Sequence, residues 1–197
     1  MPERPAHAPA DSSNRVTATA LLRYVAITPA HNEESHLARL AEAMIAQTHR
    51  PEQWVIVDDR STDATRVIAD AYAGAHDWIT VVATPRDRAH ADDDRYYAPV
   101  VRAFTTGLAA VQPADIVVKL DADLYLPPHY FEWVARTFAA APRAGIVGGT
   151  IMEHDGRAWR TDVVNPHHVR GAFKAYRWEC LEEIGGLHAG RGWDGID

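Results

Sequence analysis

A single cysteine, Cys180, stands in a chain of 197 residues, so no internal disulfide can form and a disulfide-stapled scaffold is excluded. That usage fits a reducing compartment. Long apolar runs are missing too. The longest, around Leu21–Ile27 and Ile116–Leu120, have the length of strands and fall far short of the ~20 residues of a membrane span. The N-terminal MPERPAHAPADSSNRV lacks the basic start and apolar centre of a secretory signal. Its Pro, Ala and Ser content predicts a disordered leader over 1–19 and, with no signal, a cytoplasmic location. Nor is there an excess of basic charge. Twenty Lys and Arg face 27 Asp and Glu, for a net charge of −7, which argues against nucleic acid as a partner. Any phosphate held here needs a metal ion, a few placed arginines or backbone amides.

What is present is a globular composition, 47% hydrophobic with six Trp, in a length that suits one domain over 20–197. Strand-like and helix-like segments alternate along it. Leu21–Thr28 is a β-branched and aromatic run closed by Pro29, and Leu37, Leu40, Ala41, Met44 and Ile45 then recur at helical spacing. Trp54–Val57 predicts a second strand. A helix with Val67, Ile68, Ala71 and Tyr72 on its apolar face follows, capped by Ser61, Thr62 or Asp63. Ile79–Ala83 predicts a third strand, and the charged stretch 85–97 a loop. Helix returns over Pro99–Val111, strand over Ile116–Leu120, and helix again from Pro127-Pro128 through Phe131–Ala140. Gly145–Thr150 reads as a fifth strand, and Tyr176–Ile184 as an amphipathic segment stopped by Gly185-Gly186.

Strands separated by helices predict an α/β fold with a mostly parallel sheet, which binds ligands beyond the carboxyl ends of its strands. Strand one ends in PAHNEE, strand two in DDRSTD and strand four in DAD, so three polar clusters fall at one sheet edge. Asp121 and Asp123, one residue apart just past a strand, suit a hard cation such as Mg²⁺ or Mn²⁺, whose shell substrate phosphates often complete. A solvated or helix-capping pair is the competing explanation. In DDRSTD a capped turn accounts for Ser61, Thr62 and Asp63. Asp58 and Asp59 remain, and adjacent carboxylates need solvent, an arginine or a ligand donor.

Five segments in order, Thr28–Glu34 (TPAHNEE), Val57–Asp63 (VDDRSTD), Leu120–Asp123 (LDAD), Arg170–Tyr176 (RGAFKAY) and Gly185–Leu187 (GGL), resemble the family-two glycosyltransferases. The resemblance runs from about Val25 to the last residue. It implies a GT-A-type, Rossmann-like sheet flanked by helices and an inverting transfer from a nucleotide diphosphate-sugar, by default a UDP-sugar, to a carbohydrate or lipid-linked acceptor. By the same resemblance, Pro29, His31 and Glu33 lie beside the nucleotide and Asp59 bonds the base. Asp121 and Asp123 form the D-x-D pair for Mn²⁺ or Mg²⁺, with Asp121 also on the nucleotide side. Arg102 stands where the family often has a phosphate-facing arginine, although Ala103 replaces the usual Asn and a surface salt bridge explains Arg102 equally well. His168, Arg170 and Gly171 fall on the acceptor side.

The catalytic base of the family follows the G-G-[LF] turn. Here the segment reads WDGID, so Asp194 is the first choice and Asp197 the second. The chain stops inside that motif, which reads as truncation. Members of that family often carry membrane helices beyond the catalytic region, so the resemblance also implies association with the inner face of a membrane through a region not in this chain. Other clusters have simpler explanations. Asp92-Asp93-Asp94 reads as a solvated loop, and His167-His168 as a loop without a third metal ligand. Trp159, Tyr176, Trp178 and Trp193 read as buried aromatics rather than a sugar-stacking platform.

Overall fold

The computed structural model describes residues 20–85, 98–161 and 168–189. Its centre is a six-stranded sheet in the order β3-β2-β1-β4-β8-β5. The chain lays down β1 (Tyr24–Ala30), α1 (Leu37–Ile45), β2 (Gln53–Asp58), α2 (Thr65–Ala75) and β3 (Ile79–Ala83) outward in one direction. It then crosses back through α3 (Ala98–Leu108) and places β4 (Ile116–Leu120) on the other side of β1, followed by α4 (Tyr130–Ala140). These four strands are parallel. Short β5 (Ile146–Val147) and β8 (Phe173–Arg177) extend the sheet, with β8 antiparallel to both β4 and β5. Between them β6 (Met152–His154) and β7 (Trp159–Thr161) form a separate hairpin, and α5 (Trp178–Glu183) follows β8.

The expected α/β sheet is therefore present, and helices cover both of its faces. Leu37, Leu40 and Met44 of α1 join Phe131, Val134 and Phe138 of α4 in a core on one face. Phe104 of α3 and Leu181 of α5 pack on the other with Val25, Ile27, Val55, Val57 and Val117. Burial on both faces explains why β4 reads IVVKL without alternation. No described helix is long and apolar enough to cross a membrane.

α3 approaches the sheet closely because Gly107 has no side chain. A Cβ there would lie 2.4 Å from Ile27 Cγ2 and 2.8 Å from Val57 Cγ2. Gly74, in α2, would meet nothing within 4 Å. The same substitution should thus act in opposite directions. Gly74→Ala is expected to stabilise by about 1 kcal/mol through helix propensity. Gly107→Ala is expected to destabilise, because overpacking of about 1–3 kcal/mol outweighs that gain. Urea midpoints of the two variants check this, and equal shifts would show that the α3 contact is soft.

Several boundaries differ from the sequence-based expectation. β1 begins at Tyr24 and runs through Pro29 to Ala30. The Ala30 carbonyl accepts the Asp59 amide on the β2 side, so the Pro29 nitrogen turns toward β4, where pairing has already ended at Ile27. The proline removes no sheet bond. Tyr176 is not helical: it belongs to β8, where Phe173 and Ala175 enter one core and Tyr176 the other. The fifth strand shrinks to two residues. No side chain caps α2 at its N-cap Ala64, although Asp63 Oδ1 accepts the Thr65 amide at 2.9 Å.

Candidate functional site

The strand order reverses at β1, with β2 on one side and β4 on the other, and their pairings end at different levels. β1 pairs with β2 as far as Ala30 but with β4 only to Ile27. The strands thus part at their carboxyl ends, where open α/β sheets take ligands. A cavity of about 300 Å³ lies there. It is lined by Pro29, Ala30, His31 and Glu33 after β1, Asp59 after β2 and Asp121, Ala122 and Asp123 after β4. Pro99, Val100 and Ala103 of α3 complete the wall.

The first two loops hold each other. The Asn32 amide donates to Ser61 Oγ (3.1 Å), and Asn32 Oδ1 accepts the Thr62 amide (2.8 Å). The Glu33 amide donates to Thr65 Oγ1 (2.6 Å) and the Glu34 amide to Asp63 Oδ2 (3.1 Å), while Glu34 Oε2 accepts the Ala64 amide (2.9 Å). His31 Nδ1 lies 2.6 Å from the Asp59 carbonyl and, as donor, ties the loops at their base. Asn32 and Arg60 each take a left-handed backbone, φ 57° and 62°. Such strain persists where surrounding bonds over-determine it. Much of HNEE and RSTD therefore serves to position rather than to contact a ligand.

Asp59 is 6% exposed and lines the cavity. Its Oδ1 accepts the Thr84 hydroxyl at 2.6 Å and Arg60 Nε at 3.3 Å. Among the described residues both bonds fall on one oxygen, which leaves acceptor capacity on Oδ2. Asp58 turns elsewhere, its Oδ1 accepting the Ser61 amide (3.1 Å).

After β4, Asp121 accepts a hydrogen bond from the ammonium of Lys119, two residues back. Burial raises the Asp121 carboxyl above its ordinary value. Lys119 opposes that rise, and the negative Asp123 and Glu33 add to it. Asp123 is exposed, and its carbonyl accepts Arg39 Nη2 at 3.0 Å. Among the described residues no three His, Cys, Asp or Glu side chains converge as a ready metal cage. Two adjacent carboxylates beside an open cavity fit a hard cation whose remaining ligands are oxygens of bound substrate and water.

The structure thus brings Pro29, His31, Glu33, Asp59, Asp121 and Asp123 to one cavity. Arg102 lies on α3 outside its lining, and His168, Arg170 and Gly171 form the segment leading into β8. Asp194 and Asp197 lie outside the described residues, as do the leader, Asp92–Asp94, His167 and Trp193. Of the remaining aromatics Tyr176 is buried, Trp178 partly so and Trp159 61% exposed on the hairpin. Sequence reasoning missed the apolar lining and Lys119. Ala30, Pro99, Val100 and Ala103 look like core residues in the sequence. Lys119 carried a signal, a lone cation inside an otherwise apolar strand.

A family model described as glycosyl transferase family 2 matches residues 25–190. The undecaprenyl-phosphate 4-deoxy-4-formamido-L-arabinose transferase of Pseudomonas aeruginosa is 30% identical over 137 residues, 68% of this chain and 37% of that protein. An uncharacterized glycosyltransferase of Nostoc is 31% identical over 118 residues, 59% of this chain and 33% of that protein. The chain therefore spans about a third of the length of these curated relatives. Among solved structures, the mannosyltransferase PcManGT of Pyrobaculum calidifontis, in complex with GDP-Man and Mn²⁺, superposes with a TM-score of 0.64 at 24% identity. That match covers 89% of this chain and 50% of that one. S. aureus TarS 1-349 in complex with UDP gives 0.67 at 18% identity, covering 88% and 53%. At such identities the likeness concerns the GT-A glycosyltransferase fold.

Proposed function

Because the chain belongs to glycosyl transferase family 2, we propose that it supplies the donor half of an inverting, metal-assisted sugar transfer from a nucleotide diphosphate-sugar, with UDP-sugar the first donor to test. The observation that carries this reading is the convergence of Glu33, Asp59, Asp121 and Asp123 on one cavity at the switch point of the sheet. Four carboxylates there, compensated by Lys119 and Arg60, repel a free diphosphate. A divalent cation resolves that conflict.

In this reading Asp59 accepts a hydrogen bond from the base, and the Pro29–Glu33 loop flanks the nucleotide. Asp123 and Asp121 would hold Mn²⁺ or Mg²⁺. When bound, the cation stabilises the charge that grows on the leaving diphosphate. The acceptor oxygen attacks the anomeric carbon as the bond from that carbon to the diphosphate oxygen breaks. Its proton passes to a carboxylate, assigned to Asp194 with Asp197 as the alternative. The product is an inverted glycoside and a nucleoside diphosphate. His168, Arg170 and Gly171 belong to the acceptor side. The Pseudomonas relative is named for an undecaprenyl-phosphate acceptor, which supports testing lipid-linked acceptors first, at the cytoplasmic face of a membrane.

Calorimetry with UDP and GDP, each with and without Mn²⁺, tests the donor site, and a transfer assay separates an enzyme from a nucleotide-sugar-binding domain. Binding that needs no cation would overturn the metal assignment. Asp59→Asn keeps an acceptor for Thr84 but removes the charge. It is expected to weaken nucleotide binding about tenfold to a hundredfold, the worth of a hydrogen bond to a charged group. Unchanged affinity would remove Asp59 from the base contact.

A further inference from the structure

The sequence contains twenty basic residues, of which only Lys119 and Lys174 are lysines and eighteen are arginines. Arginine fills every other basic position. Yet both lysines are 1% exposed, and they stand directly opposite each other across the β4–β8 pair. Opposed residues of an antiparallel pair share a face, with Cβ atoms about 4.5–5.5 Å apart, and like charges there are ordinarily destabilising. Buried lysines beside one another therefore need a compensating reason.

Lys119 gives one. Its ammonium donates to Asp121 and to the Gly171 carbonyl at 2.6 Å. One residue on, the Ala172 carbonyl accepts the Asp121 amide at 2.9 Å. Two successive carbonyls of the segment entering β8 are thus gripped from the end of β4, one by the lysine and one by the backbone of the residue that lysine holds. The ammonium is a compact charge with donors in three directions and can bond a carboxylate and a carbonyl that lie apart. A guanidinium, planar and larger, is made for bidentate contact with one partner.

We propose that Lys119 is a positioning residue for transfer: it holds the Asp121 carboxylate in place and clamps Gly171 to it, so that the donor site and the segment carrying His168, Arg170 and Gly171 keep a fixed spacing. The inference rests on the functional reading above. Outer-shell partners of this kind set ligand orientation, and their loss typically costs about tenfold to a hundredfold in metal affinity or activity.

The test uses the whole chain with Lys119→Met and Lys119→Arg, reading Mn²⁺-dependent UDP or GDP binding by calorimetry, kcat and KM by transfer assay, and folding by thermal melts. Lys119→Met is expected to bind nucleotide with Mn²⁺ about tenfold to a hundredfold more weakly and to lose kcat in excess of any change in donor KM. Lys119→Arg keeps the charge but not donors that reach both the carboxylate and the carbonyl, so it is expected to recover only part of the binding. A folded Lys119→Met with wild-type binding and turnover would overturn the proposal, as would a folded Lys119→Arg with wild-type turnover. If Lys119→Met does not fold, the double variant Lys119→Met with Asp121→Asn decides. Removing both partners of a bonded pair is far milder than removing one. A double variant that folds supports the brace, and one that stays unfolded shows that Lys119 serves the core at large and overturns it. A wild-type chain that binds no nucleotide with Mn²⁺ would indict the donor site instead, and the folding comparison would still judge the brace.

Discussion

Asp123→Asn is expected to lower metal-dependent turnover by about three orders of magnitude while leaving the melting temperature close to that of the wild type. The two halves of that expectation have different origins. Asp123 is exposed, and its structural contact, with Arg39, runs through the backbone carbonyl, which the substitution leaves intact. Its charge also raises the neighbouring Asp121, so an amide relieves repulsion when no cation is bound. Stability should therefore hold or rise slightly. Turnover should not. A cation bound through a carboxylate contributes several kcal/mol to the transition state, and each 1.36 kcal/mol is about tenfold in rate. A Mn²⁺ titration of turnover, beside melts of both proteins, checks both halves. Wild-type activity in the variant would mean that the pair after β4 caps a turn and does no chemistry.

Trp54→Ala is expected to cost about 3–5 kcal/mol of stability, among the largest losses for a single truncation. Trp54 is fully buried in β2 against Trp78, ring centroids 6.2 Å apart. Its indole N–H donates to Thr28 Oγ1 at 2.9 Å, and Thr28 is itself fully buried in β1. The alanine would leave both a cavity and a hydroxyl without its donor. At about 2–4 °C per kcal/mol for a chain of this size, the melting point should fall by roughly 6–20 °C. Trp54→Phe keeps most of the ring and isolates the bond to Thr28, so it should fall much less. Thr28 adjoins Pro29 of the cavity wall, so a folded Trp54→Ala should also bind nucleotide less tightly. A drop of under about 3 °C would show that the strands repack around the loss.

Much of the sheet was legible because its central strands β1, β2 and β4 are buried on both faces, and these and the edge strand β3 read as short apolar, β-branched runs between polar turns. Ile116–Leu120 and Ile79–Ala83 have the expected bounds. β8 was hidden because Lys174 and Arg177 break its apolar pattern, and its helical appearance from Tyr176 onward came from the adjoining α5. The hairpin β6–β7 is exposed at every residue, so no alternation between core and solvent marked it. At the site, charge was the readable signal. Carboxylates at strand ends stood out, whereas the α3 wall did not, because Val100 and Ala103 serve a cavity with the same side chains that serve a core. The division of labour between the two aspartates after β2 was equally invisible. Nothing in Asp58-Asp59 says that one caps a turn and the other faces a ligand until Thr84 and Ser61 are seen beside them.

The reciprocal bonds between the loops after β1 and β2 bear on how such a site can change over generations. Asn32 supplies both an amide and a carbonyl oxygen to the opposite loop, and Glu34 likewise gives a donor and an acceptor. Each segment is thus the template for the other's shape. A mutation in one that keeps its own backbone but alters its donors leaves its counterpart mismatched. In recombination or grafting between relatives, then, the heritable module is neither motif alone: His31–Glu34 and Arg60–Thr65, some thirty residues apart in sequence, have to travel together.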